Sequence, residues 1–197
     1  MDARRPAVIA FGMRLAPLFL ALALGTTAAC FQTEEGGLRC EDYCPTIADA
    51  CSEVDEQYPT DIACQNICSI MESGKEGDAQ GNTLGCRMTW ALEALEQSGP
   101  DLAQTCRWAG PGGDGTCGGV CESLCEYAMQ ICTGDNQQFA SATECITACN
   151  SLPEEPPYNT MAEGPNQSCR LYHLTLATAS PAEHCPHVGG AGPCAAP

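Results

Sequence analysis

The sequence predicts an all-α, disulfide-rich protein made of two tandem repeats, each about three short helices followed by a Cys-closed Gly/Pro loop. Three observations carry that expectation. The chain holds 17 cysteines in 197 residues, a density typical of scaffolds stapled in an oxidising compartment. Cys40, Cys44, Cys51, Cys64 and Cys68 return as Cys121, Cys125, Cys132, Cys145 and Cys149 at a constant offset of 81, and self-similarity at a fixed period marks a repeat. Between the cysteines, apolar residues recur at the helical period, and no run reads convincingly as a strand.

The N-terminal segment comes first. Arg4, Arg5 and Arg14 form a basic region, Leu15 to Leu24 an apolar one, and Thr27-Ala28-Ala29 a small-residue cleavage site, so residues 1–29 read as a signal peptide. The apolar stretch is too short to span a bilayer. Cys30 then stands at the new N-terminus. A bacterial lipoprotein signal usually has an aliphatic residue three positions before the cysteine, where this chain has Thr27. Parity favours lipidation all the same: setting Cys30 aside leaves 16 cysteines, two sets of eight. Residues 30–38, with Gly36-Gly37, then form a lipidated tether. The expected product is an exported, outer-membrane-anchored lipoprotein of the cell envelope, held to the membrane by its N-terminal lipid.

The repeats occupy residues 39–117 and 118–197. Cys86, Cys106 and Cys117 of the first correspond to Cys169, Cys185 and Cys194 of the second, and the boundary falls in Gly110-Pro111-Gly112-Gly113-Asp114-Gly115 and Gly118-Gly119, where glycine density forbids regular structure. In the first copy, Tyr43, Ile47, Ala50 and Val54 mark one helix. Ile62, Ile67, Ile70 and Met71 mark a second, after the break at Tyr58-Pro59. Leu84, Met88, Ala91, Leu92 and Leu95 mark a third, with Asn82-Thr83 as its N-cap and Gly99-Pro100 as its stop. The second copy repeats this with Leu124, Ala128 and Ile131, then Cys145 to Leu152, then Leu171, Leu174 and Thr178.

The 16 cysteines are expected to be structural staples, each closed loop contributing on the order of 2–4 kcal/mol. If the first two helices turn back near Tyr58, Cys51 pairs with Cys64 and Cys44 with Cys68, while the last pair ties the Gly-rich loop to the helical body. No Cys-x-x-Cys redox pair is present. Arg87 and Arg170 occupy equivalent positions, as do Glu41 and Glu122, which suggests internal bidentate ion pairs Arg87–Glu41 and Arg170–Glu122.

All three histidines, His173, His184 and His187, lie in the second copy, where the first has Trp90, Thr105 and Trp108. Imidazole is a common ligand for zinc and copper, so three imidazoles brought together form a candidate Zn or Cu site. Helix capping and loop hydrogen bonds are the plainer alternative, because the spacing follows no established zinc pattern.

Net charge is −17, which repels the phosphates of nucleic acid and so excludes it as a partner. No Gly-x-Ser-x-Gly elbow or phosphate-cradling loop occurs, and with the cysteines paired no nucleophile–base couple is easily assembled. At Gly81-Asn82-Thr83-Leu84-Gly85-Cys86-Arg87, at Cys169-Arg170-Leu171-Tyr172-His173 and at His184-Cys185-Pro186-His187, the chain resembles cysteine-rich lipoproteins of myxobacteria and their relatives. That resemblance implies bacterial export, without an activity. The leading expectation is a non-enzymatic structural or interaction module with a protein or envelope partner. A metal- or cofactor-binding protein using the second repeat is the alternative.

Overall fold

A computed structural model describes residues 37–52, 55–160 and 163–196; the signal segment, Cys30 and Val54 lie outside them. The described residues form eight helices in chain order: α1 (Cys40–Ala50), α2 (Asp61–Cys68), α3 (Leu84–Leu95), α4 (Pro100–Ala109), α5 (Val120–Ile131), α6 (Ala142–Asn150), α7 (Gln167–Ala177) and α8 (Pro181–Val188). Among these residues no strand forms, only the isolated bridge Glu72–Thr83. The fold class is therefore all-α and disulfide-rich. No helix among them is long and apolar enough to cross a membrane.

Each half carries one more helix than expected. Gly99-Pro100 reads as a helix stop, but Pro100 is the first residue of a new helix, α4, and Pro181 likewise opens α8 in the stretch expected to be a loop. Proline at that position lacks only an N–H that would be unpaired anyway, and its fixed φ suits helix entry. The other starts follow side-chain chemistry. Thr60, Thr83, Ser141 and Asn166 each accept a hydrogen bond from the backbone N–H three residues on, satisfying one of the free donors of a first turn.

Eight disulfides hold these short helices. In the first half the pairs are Cys40–Cys68, Cys44–Cys64, Cys51–Cys106 and Cys86–Cys117. In the second they are Cys121–Cys149, Cys125–Cys145, Cys132–Cys185 and Cys169–Cys194. The expected Cys51–Cys64 and Cys44–Cys68 pairs are thus corrected by one layer. Cys51 is the C-cap of α1 rather than a member of a continuous hairpin, and it reaches α4 instead of α2. The last pair of each half does tie the third helix to the loop that follows.

The aliphatic stripes are partly corrected as well. Ile67 and Leu84 are buried, whereas Ile62, Leu92 and Leu95 are exposed, on faces of α2 and α3 turned away from the buried cluster. Buried residues of both halves share one hydrophobic cluster, with Cys169 and Cys194 forming a small one apart, within the unit Glu34–Pro197. Tyr158 Oη donates to Gln57 O at 3.0 Å across 101 residues of sequence, and α2 packs on α7.

Neither expected ion pair forms. Arg87 is fully buried and spends its guanidinium on neutral acceptors: Nε on Gly110 O at 3.0 Å, Nη1 on Thr83 O at 3.2 Å, and Nη2 on Asn82 Oδ1, Pro111 O and Ser123 Oγ at 2.7, 3.2 and 3.1 Å. Two of these acceptors follow or end α4, where the helix dipole favours a cation, and Ser123 belongs to α5. The nearest carboxylate link is indirect, since Asn82 Nδ2 donates to Glu126 Oε2 at 2.6 Å. Glu41 instead lies exposed, 3.5 Å from Arg39 Nε. Glu122 accepts from Gly119 N at 3.1 Å, covering the start of α5, and Arg170 Nε is buried without a hydrogen-bond partner.

Candidate metal centre

The three histidines converge because α7 and α8 form a tight antiparallel hairpin. Only residues 178–180 separate the helices, so His173 near the end of α7 faces His184 near the start of α8. His184 and His187 are three residues apart, which puts both on one face of α8. Between them, Cys185 points the other way into the core, where its bond to Cys132 pins α8 against the end of α5. One turn before His173, Cys169 binds Cys194, anchoring the C-terminal 3₁₀ turn Gly192–Cys194. That turn lies against the His187 ring. Gly192 has φ +55°, and a Cβ there would sit 2.7 Å from His187 Nε2, so a side chain at this position would displace the imidazole.

The geometry is that of a ligand cluster. His173 Nδ1 lies 3.1 Å from His184 Nδ1 and 3.1 Å from His187 Nδ1, and one ring nitrogen from each residue falls within 4.8 Å of the other two. Two nitrogens at zinc–imidazole bond lengths in a tetrahedral shell stand about 3.3 Å apart, close to the observed spacing. Hydrogen bonding alone does not account for it. A neutral imidazole nitrogen either carries one proton or offers one lone pair, so His173 Nδ1 cannot form two full, independent bonds. One cation accepts all three lone pairs at once.

Electrostatics keep those lone pairs available. Burial, reinforced by the other two imidazoles, holds His173 down to about 4, and burial also holds His184 below its usual range. Both rings are therefore neutral near pH 7. Outside the cluster, His184 Nε2 lies 4.0 Å from the exposed Glu183 carboxylate, on the side where a ligating imidazole commonly finds an acidic partner. The donor set is nitrogen only, which suits zinc or copper rather than the oxygen-seeking calcium and magnesium.

In the first half the same positions are filled by packing. Trp90 and Trp108 meet with ring centroids 4.6 Å apart at 64°, and the corresponding His173–His187 rings stand 4.5 Å apart at 81°. Buried Thr105 donates to Gln97 Oε1 at 2.7 Å. The scaffold thus brings its third and fourth helices together either way, and only the second half supplies ligands.

The fold and this centre define a disulfide-stapled helical protein with a three-imidazole cluster. A family model described as the BfoA family C-terminal domain matches residues 118–195, the stretch that carries the histidines. Among curated proteins, the chain is similar to the Aurasperone B biosynthesis cluster protein A of two strains of Aspergillus niger. Identity is 35% over 75 residues in each case, covering 36% of this chain and 23% of the fungal protein. The chain therefore spans less than a quarter of the length of the curated relatives it matches. These relatives are fungal, whereas the resemblance read from the sequence was to myxobacterial lipoproteins. No solved structure matches.

Proposed function

We propose that this is an exported metal-binding protein in which His173, His184 and His187 hold one zinc or copper ion, on a scaffold that the disulfides keep rigid. The single observation that carries this reading is the convergence of three ring nitrogens, with His173 Nδ1 at 3.1 Å from both neighbours. Two facts support it. The histidines sit on two packed helices rather than on a loop, and burial keeps His173 and His184 neutral. Within this reading the first half is a packing partner, Cys30 carries a lipid that tethers the protein to the cell envelope, and the role is binding rather than catalysis.

Native mass spectrometry of the mature, oxidised protein tests it after exposure to zinc and to copper. The expected spectrum shows one ion per chain with all eight disulfides intact. His184→Ala and His187→Ala each abolish the bound ion and leave the disulfide count unchanged. Wild-type protein that remains metal-free under both exposures refutes the reading, and the same spectrum reports acyl chains on Cys30.

A further inference from the structure

Among the described residues, the histidine cluster supplies three donors. Among the described residues, the other group of metal-binding side chains near it consists of Cys169, His173 and Cys194. It shares His173, and its sulfurs are tied to each other, so neither is a thiolate. Glu183 approaches His184 at Nε2, the ring atom on the opposite edge from the clustered Nδ1 atoms. At 4.0 Å from Nε2, its carboxylate lies away from the clustered nitrogens and is not one of the grouped ligands. Zinc takes four ligands at its fewest in such sites, and a centre with three protein ligands leaves a position for water or substrate.

Burial says where that position lies. His173 is 7% exposed and faces the protein, while His184 and His187 are partly exposed, so the shell is closed on the α7 side and open toward solvent. Charge says what would occupy it. Among the described residues no carboxylate or thiolate joins the three ring nitrogens, and an imidazole ligand brings no charge of its own, so a divalent ion there keeps its full positive charge. An anion gains more there than a neutral donor. The chain's net charge of −17 works against polyanions by long-range repulsion, and less against a small monovalent one whose contact with the ion is short.

On the reading that this centre binds an ion, we propose that the ion keeps one solvent-facing coordination position that takes an exchangeable small monovalent anion, with water or hydroxide at rest. The histidine centre is then an anion-receptive site and not a closed structural one.

Cobalt(II) is the probe, because its visible spectrum reports both coordination number and ligand type. The mature oxidised protein is loaded with one equivalent of cobalt and titrated with azide. An azide-to-cobalt charge-transfer band should appear and rise to a plateau at one azide per ion, with the ligand-field bands shifting in parallel and no sulfur-to-cobalt band at any stage. Cobalt bound at one equivalent with a spectrum that azide leaves unchanged, even at high concentration, overturns the open position while leaving the metal site standing. Failure to bind cobalt, zinc or copper at all overturns both.

Discussion

Replacing Arg87 by methionine tests the most consequential buried interaction in the molecule. The substitution keeps much of the aliphatic stem and removes the charge together with five hydrogen bonds. Not every partner is stranded. Gly110 O still accepts from Gly113 N, Thr83 O still accepts from the backbone N–H of position 87, and Asn82 Oδ1 still accepts from Ser123 Oγ. Pro111 O loses its donor. One buried acceptor without a partner costs about 1–3 kcal/mol, and losing the charge-assisted bonds that join α3 to the end of α4 and to Ser123 of α5 adds to that, for a total of about 2–4 kcal/mol. At roughly 2–4 °C per kcal/mol for a chain of this size, the thermal midpoint of the oxidised protein should drop by about 5–15 °C. Circular dichroism at the helical minimum measures it. Arg170→Met is the internal control: its guanidinium has a buried Nε with no partner, so it should cost under about 1 kcal/mol. Equal losses for Arg87→Met and Arg170→Met would refute the reasoning. So would a loss for Glu41→Gln as large as that for Arg87→Met, since it would restore the ion pair that the structure replaces.

Three further outcomes follow from the same geometry. Peptide mapping of non-reduced protein should recover Cys51 linked to Cys106 and Cys132 linked to Cys185, and a Cys51–Cys64 peptide would contradict the fold. The triple substitution Trp90→His, Thr105→His and Trp108→His should raise bound zinc or copper from one ion to two per chain by elemental analysis, because the Trp90 and Trp108 rings already stand as close as the His173–His187 pair; a stoichiometry that stays at one would show that helix placement alone does not make the site. Burial holds the Glu126 carboxyl above its usual range, with Glu72 adding to the effect and Arg87 opposing it. The folded state therefore favours the protonated form, and Glu126 loses stabilisation as pH rises from the unfolded-state value through the raised one. Glu126→Gln should match wild type in stability below that window and gain on it above, in urea titrations across pH 4–7; a difference that does not vary with pH would argue against it.

The helices with polar caps were legible in the sequence because their signals are local: Thr83 before Leu84 starts α3 by chemistry acting over three residues. α4 and α8 were missed because a proline ends one helix and opens the next with the same letter: Gly99-Pro100 reads as a stop, and only the following turn shows that Pro100, like Pro181, starts a helix. The disulfide pairing depended on where α1 ends. A helix continued to Val54 would aim Cys51 at α2, whereas termination at Ala50 aims it at α4. Arg87 was recognisable as special from its recurrence, but its partners were not, because most are backbone carbonyls, which every residue carries. The histidine centre was half legible. Residue type and confinement to one half marked it, while its convergence rests on the α7–α8 hairpin, whose second helix the sequence reading had assigned to a loop.

Every one of the eight disulfides closes within its own half. The native pairing therefore splits into two independent problems of eight cysteines each. Each set then chooses among 105 pairings instead of the far larger number open to 16 thiols at once. With no bond crossing between the sets, an error of pairing in one half leaves the native pairing of the other half intact.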